Sequence, residues 1–144
     1  MATTARLSLV TLGVSDLSRA TAFYTTLGFE RSSVSVEGDV TFFRMAGSVL
    51  ALYSRERLAE DAGMQSHGSG FRGVALAMDL DSEDQVDQAF EQWASAGASI
   101  MKVPEHATWG GYTGYVADLD GHLWELAFNP GFTFTPDGRV DLPA

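Results

Sequence analysis

The stretch Asp118-Leu119-Asp120-Gly121-His122-Leu123-Trp124-Glu125-Leu126 opens with turn-forming residues and runs into the alternating pattern of a strand. Its spacing Gly121-x-Leu123-x-Glu125-Leu126 has an earlier counterpart in Gly47-x-Val49-x-Ala51-Leu52. Upstream of each copy, Val10, Leu12 and Val14 correspond to Val74, Leu76 and Met78. A repeat of about 65 to 75 residues is too long for a solenoid unit and fits a duplicated half-domain.

Each copy carries the same grammar. In the first, Leu7 to Val14 alternates as a strand, Asp16 offers a helix cap, and Leu17, Ala20, Tyr24 and Leu27 recur at helical spacing before Gly28. Three further strands are expected over 29–36, 40–45 and 48–54, separated by Glu37-Gly38-Asp39 and Ala46-Gly47. In the second copy, 73–79 reads as a strand, and Ser82-Glu83-Asp84-Gln85 has the form of a capping box. Val86, Ala89, Phe90 and Trp93 form the buried stripe of the helix it opens, Gly97 ends that helix, and strands follow over 98–103, 112–118 and 122–128. The reading is one α+β domain over 1–144: a βαβββ half over about 6–54, a linker over 55–71, a second half over about 72–129 and a tail over 130–144.

Composition narrows the function. The chain has 144 residues, enough for one sizeable core, and no cysteine, which excludes disulfides, thiolate metal sites and a cysteine nucleophile. Nineteen acidic against nine basic residues give a formal charge of −10, which opposes nucleic acid and anionic membranes as partners. No run approaches a membrane span and the first residues lack an apolar signal core, so a cytoplasmic location is expected.

Side chains alternate along a strand, so each strand has a face toward the helices and an opposite face. The helix-facing positions are large and apolar: Val10, Leu12, Val14, Leu50, Leu52, Val74, Leu76, Met78, Trp124, Leu126 and Phe128. The opposite positions are Leu9, Thr11 and Gly13; Val49, Ala51 and Tyr53; Gly73, Ala75 and Ala77; and Leu123, Glu125 and Ala127. These are mostly small, as expected of a curved sheet lining a ligand pocket with helices outside, although a flat face covered by another subunit has the same pattern. Glu125 is the one charged residue among the twelve, and burial there raises its cost unless a cation or a donor answers it.

Val10-Thr11-Leu12-Gly13-Val14-Ser15-Asp16-Leu17, Ala22-Phe23-Tyr24, Leu27-Gly28-Phe29 and the 118–126 stretch together resemble the vicinal oxygen chelate superfamily, which includes glyoxalase I, extradiol dioxygenases, fosfomycin-resistance enzymes and bleomycin-resistance proteins. The resemblance covers about residues 6 to 130 and implies paired βαβββ modules forming a U-shaped sheet, often in a homodimer. Metal-dependent members place four ligands on the concave faces. By resemblance those positions fall at Leu9, at or beside Ala51, at Gly73 and at Glu125, so a single carboxylate survives and no divalent metal cofactor is expected. A rearranged site would have to recruit Glu125 with His67 and His106; His122 sits three residues from Glu125 and is expected to point away from it.

The segment from Pro104 to Tyr112 places Trp109 beside glycines, as a pocket lip would. Trp109, Tyr112, Tyr53 and Phe42 or Phe43 offer flat surface for an aromatic or cationic ligand. The candidate ligand-binding set is Leu9, Thr11, Phe42, Ala51, Tyr53, Gly73, Trp109, Tyr112 and Glu125, with Glu125 the candidate acid, base or counter-charge. Two functions are compatible with this set: metal-independent binding or sequestration of a small organic molecule, or a lyase- or dioxygenase-type enzyme acting on an oxygenated small molecule through Glu125 or a rebuilt metal site. No nucleophile elbow or phosphate loop is present in the sequence.

Overall fold

The computed structural model describes residues 4–144. It divides into two compact units, one running to Ser66 and including Phe134–Arg139, the other comprising His67–Thr133 and Val140–Ala144.

The first unit contains β1 (Leu9–Val14), α1 (Leu17–Thr26), β2 (Glu30–Arg31), β3 (Val40–Arg44), β4 (Val49–Ser54) and α2 (Arg55–Asp61). Its sheet has the order β1-β4-β3-β2, with β1 parallel to β4 and the other pairs antiparallel. Asp16 caps α1 by accepting from the Arg19 N–H at 3.0 Å. Ala20, Phe23 and Tyr24 of that helix are buried, as are Leu12, Val14, Phe43, Leu50 and Leu52 of the sheet, and α1 packs against β3 and β4. Tyr24 lies 5.1 Å from Phe29 and 6.0 Å from Phe43, ring centre to ring centre. Each such large side chain contributes about 1.5 to 3 kcal/mol on burial, so this aromatic cluster fixes α1 to its sheet.

The second unit repeats the order with β5 (Leu76–Leu80), α3 (Glu83–Ala96), β6 (Ser99–His106), β7 (Tyr112–Ala117) and β8 (Leu123–Phe128). The sheet order is β5-β8-β7-β6, again with one parallel pair, β5 and β8. Ser82 caps α3 by accepting from the Gln85 N–H at 3.1 Å. The reciprocal bond of the expected capping box is shifted by one residue, the Gln85 side-chain Oε1 accepting from the Asp81 N–H at 3.0 Å. Gly97 closes the helix at φ 111, a left-handed conformation that favours glycine. Val86, Ala89, Phe90 and Trp93 are buried as the stripe predicted, and Trp93 lies 5.4 Å from Trp124.

The two βαβββ modules of an α+β chain are therefore present, with boundaries that differ in detail. The strand expected over 29–36 shrinks to β2: the Ser32 N–H still donates to the Phe42 carbonyl at 2.8 Å, but the Phe42 N–H donates to the Ser35 hydroxyl at 2.9 Å, where a continued ladder would use a backbone carbonyl. The strand expected from residue 73 begins at Leu76, and Val74, expected in the core, is exposed. β6 continues to His106, with register shifts between Ile100 and Lys102 and between Lys102 and Glu105. The tail contains a short hairpin of β9 (Thr133–Phe134) and β10 (Val140–Asp141). Among the described residues no helix is long and apolar enough to cross a membrane.

Candidate functional site

The face of the second module away from α3 is organised around Glu125. On β8, Glu125 stands opposite Tyr115 of β7 on one side and Ala77 of β5 on the other. One row on, Ala127 stands between Thr113 and Asp79. Cross-strand and diagonal neighbours lie within reach of one another, and the hydroxyls use that reach. Tyr115 donates to Oε2 of Glu125 at 3.0 Å, and Thr113 Oγ1 donates to the same oxygen at 3.0 Å.

Two groups beside Glu125 are shifted by their surroundings. Burial, and then the negative charge of Glu125, push the Asp79 carboxyl above its ordinary value. The Tyr115 phenol is also raised, first by its hydrogen bond to Glu125, then by burial and by the Glu125 charge. Lys102, opposite Tyr115 on β6, is paired with Glu105 at 2.8 Å. The face is acidic, with its carboxylate anchored by neutral donors.

Asp79, Thr113 and Tyr115 were not among the candidates read from the sequence. The alternation Gly73, Ala75, Ala77 leads directly to Asp79, and counting back through a hairpin that pairs Ala117 with Leu123 pairs Tyr115 with Glu125. Tyr112, which was a candidate, has the opposite parity. Its hydroxyl donates to Asp87 of α3 at 2.7 Å, which pushes the phenol up to about 12, and its ring stacks on His106 at 4.8 Å. Tyr112 therefore belongs to the helix side of the sheet. Trp109 lies in the β6–β7 connection, 59% exposed, with its indole folded across Gly111.

In the first module, Leu9, Thr11 and Gly13 pair with Val49, Ala51 and Tyr53 as the face assignment expected, and Phe42 stands opposite Ala51. This face is less open than small residues suggested. Ala51 is 1% exposed, and a Cβ on Gly13 would meet the Arg55 Cα at 3.0 Å, so the start of α2 occupies the room that Gly13 leaves. The Arg57 guanidinium lies 5.1 Å from the Tyr53 ring centre, covering surface expected to meet a ligand. Leu9, Val34, Phe42, Phe43 and Val49, with Ser32 and Arg44, line an apolar depression of about 210 Å³. Phe43 also belongs to the core, whereas Phe42 belongs to this face.

The fold's metal-ligand positions can be tested against these residues. Continuing the β5–β8 ladder one residue back sets Ala75 opposite Leu123, so Ala75 rather than Gly73 is the counterpart of Leu9, which stands opposite Val49. Gly73 lies before β5 with φ 80. Leu9, Ala51 and either Gly73 or Ala75 offer no donor side chain, and Glu125 already has two hydroxyls on Oε2. The alternative set of Glu125, His67 and His106 is not assembled: His106 Nε2 meets Glu83 of α3 at 2.7 Å, and His67 is exposed in the segment before β5. Among the described residues, no group of three or more histidine or acidic side chains is placed to hold a metal ion. This donor set does not fit the family's ion.

Comparison with known proteins agrees with the architecture. A glyoxalase-related enzyme from Fulvimarina pelagi is 34% identical and superposes with a TM-score of 0.85, over 96% of this chain and 99% of that one. A glyoxalase/bleomycin resistance protein/dioxygenase family enzyme from Burkholderia phytofirmans (22% identity, TM-score 0.77, 86% and 98% of the two chains) shares the fold. So does a lactoylglutathione lyase from Agrobacterium tumefaciens (23%, 0.69, 92% and 100%). No curated protein matches the sequence. The family model for the Glyoxalase/Bleomycin resistance protein/Dioxygenase superfamily matches residues 6–126, and the chain belongs to that superfamily.

Proposed function

We propose that the protein binds a small organic molecule without a metal ion, as a drug- or metabolite-sequestering member of its superfamily, with Glu125 as the counter-charge for a ligand cation or donor. One observation carries this reading: the carboxylate at the family's surviving ligand position is held by Thr113 and Tyr115 through Oε2. A carboxylate so placed attracts cations and donors and repels anions, and Asp79 beside it adds to that selection. Isothermal titration with bleomycin-like and polyaromatic cationic compounds tests the reading. Micromolar binding that weakens at least tenfold in Glu125→Gln supports it; no heat with any pocket-sized compound refutes it.

A second reading is favoured by the raised Asp79 carboxyl next to Glu125 and by the 34% identical relative described as a glyoxalase-related enzyme. Here Glu125 and Asp79 act as base and acid on an oxygenated small molecule, as neighbouring carboxyl groups do in general acid–base catalysis. Turnover surviving unchanged in both Glu125→Gln and Asp79→Asn removes this alternative. Under either reading a homodimer in the cytoplasm is proposed, with no nucleic acid or membrane partner, consistent with the charge of −10. Sedimentation velocity checks the oligomer.

A further inference from the structure

We propose that Thr113 and Tyr115 are positioning residues that turn Glu125 into a one-sided acceptor, selecting ligands that carry an N–H or O–H donor, and protonated amines before all others. The inference rests on the binding reading above and adds to it the ligand class and the residues that set it.

A carboxylate accepts through two oxygens with about four lone-pair directions, and a glutamate has three side-chain torsions, so an unanchored Glu125 would present either oxygen in many orientations. Here both hydroxyls approach from β7, two residues apart, and both end on Oε2. Tyr115 comes from directly across the ladder and Thr113 from the diagonal position, so the two bonds fix the carboxylate against rotation. Among the described residues no donor meets Oε1. None of the described residues has a fully buried side-chain oxygen without a partner, so Oε1 reaches accessible surface.

Each partner then has a separate role. Hydrogen bonds to an ionised acceptor are stronger than those between neutral groups, so Thr113 and Tyr115 hold the Glu125 carboxylate firmly while consuming one of its oxygens. What remains is a single fixed acceptor. A ligand ammonium or hydroxyl completes it, and a ligand carboxylate is repelled by both Glu125 and Asp79. Ordering the side chain before the ligand arrives reduces the conformational entropy lost on binding. Removing either hydroxyl should thus weaken recognition of cations far more than recognition of the ligand's apolar body.

The test uses two probes of matched size and opposite charge, phenethylamine and 3-phenylpropionate, with wild type, Thr113→Val, Thr113→Ser, Tyr115→Phe and the Thr113→Val/Tyr115→Phe double variant. The expected wild-type preference for the amine is at least tenfold, falling three- to tenfold in Thr113→Val and in Tyr115→Phe, further in the double variant, and retained in Thr113→Ser. In parallel, carbon-13 relaxation of the Glu125 side chain should show an ordered group in wild type and Thr113→Ser and a mobile one in the double variant. An unchanged amine preference in the double variant overturns the inference, as does a Glu125 side chain equally mobile in wild type and double variant. If neither probe binds wild type, the binding reading and the proposed ligand class lose support, while the relaxation comparison still decides the positioning role. Thermal melts confirm that each variant is folded.

Discussion

The two modules share one backbone plan and differ in what stands on its open face. Ala51 and Glu125 occupy equivalent places on β4 and β8; across the antiparallel ladder, Phe42 faces the first and Tyr115 the second. Across the parallel ladder, Thr11 and Ala77 are the equivalent pair, which makes Gly13 the counterpart of Asp79. In the first module α2 begins directly after β4, and its backbone closes over Gly13. After β8 the chain reads Asn129-Pro130, and a residue before proline is biased away from helix, so nothing comparable to α2 comes after that strand. A duplicated frame has thus become one apolar, partly closed half and one polar half, through a few side chains and the presence or absence of a helix after the last strand.

The largest effect should come from forcing the halves to match. Ala51→Glu places a carboxylate at a 1% exposed position opposite a phenylalanine, with no hydroxyl donor from that ring. It should cost about 3 kcal/mol or more in urea unfolding at neutral pH and less in acid, where the new group is protonated. Adding Phe42→Tyr should recover about 1 kcal/mol if the donor makes the difference between the modules. Gly13→Val, which drives a side chain into the Arg55 backbone, should destabilise by about 1 to 3 kcal/mol. Full tolerance of that change would show that α2 does not close the first face.

Smaller effects sharpen the contrast from the polar side. Tyr115→Phe should lose about 1 kcal/mol of stability with the loss of one hydrogen bond to a charged acceptor. Asp79→Asn should stabilise the fold at pH 7 by less than about 1 kcal/mol, because this partly exposed group is well screened. The sign comes from linkage: a carboxyl raised in the folded state binds a proton more readily there than unfolded, so wild-type stability falls as pH rises from its unfolded value of 3.8 through the higher folded value. The advantage of Asp79→Asn should accordingly be largest at neutral pH and shrink as pH falls toward 3.8. Finally, Glu125→Gln should lower the Tyr115 phenol pKa and leave that of Tyr112 near 12, since Asp87 raises the latter. Resolved tyrosine titration by carbon-13 NMR separates the two.

Much of the fold was legible in the sequence because it is local. The alternation of β1, β4 and β8, the caps at Asp16 and Ser82, the stop at Gly97 and the buried stripe of α3 all reflect residue type and spacing. The marker Glu125 was legible too, as the charge on a face of small residues. What escaped depends on contacts distant in sequence. Tyr115 and Thr113 meet Glu125 through antiparallel register, whereas the aromatic lip over 104–112 pointed to Tyr112, whose parity on β7 is opposite to theirs. The closure over Gly13 depends on how α2 docks, which no pattern within β1 reveals. The loss of residues 32–36 from β2 reflects the Ser35 side chain competing for the Phe42 N–H, a choice that period-2 counting does not see.

The turn between β7 and β8 sets the register of the polar half. Asp118, buried in that turn, accepts from the Asp120 N–H at 2.9 Å and the His122 N–H at 2.8 Å through one oxygen, and its own N–H donates to the His122 carbonyl at 2.9 Å. Those bonds fix the count of residues between Ala117 and Leu123, and a slip of one residue in a strand sends every side chain to the other side of the sheet. Length polymorphism at 119–121 would therefore be read out as a change in binding chemistry, with the glutamate carried inward against the helix. Substitutions at 119 and 120 that preserve the count and the Asp118 bonds would leave the chemistry untouched, whereas Gly121, at φ 85, holds a turn that favours glycine.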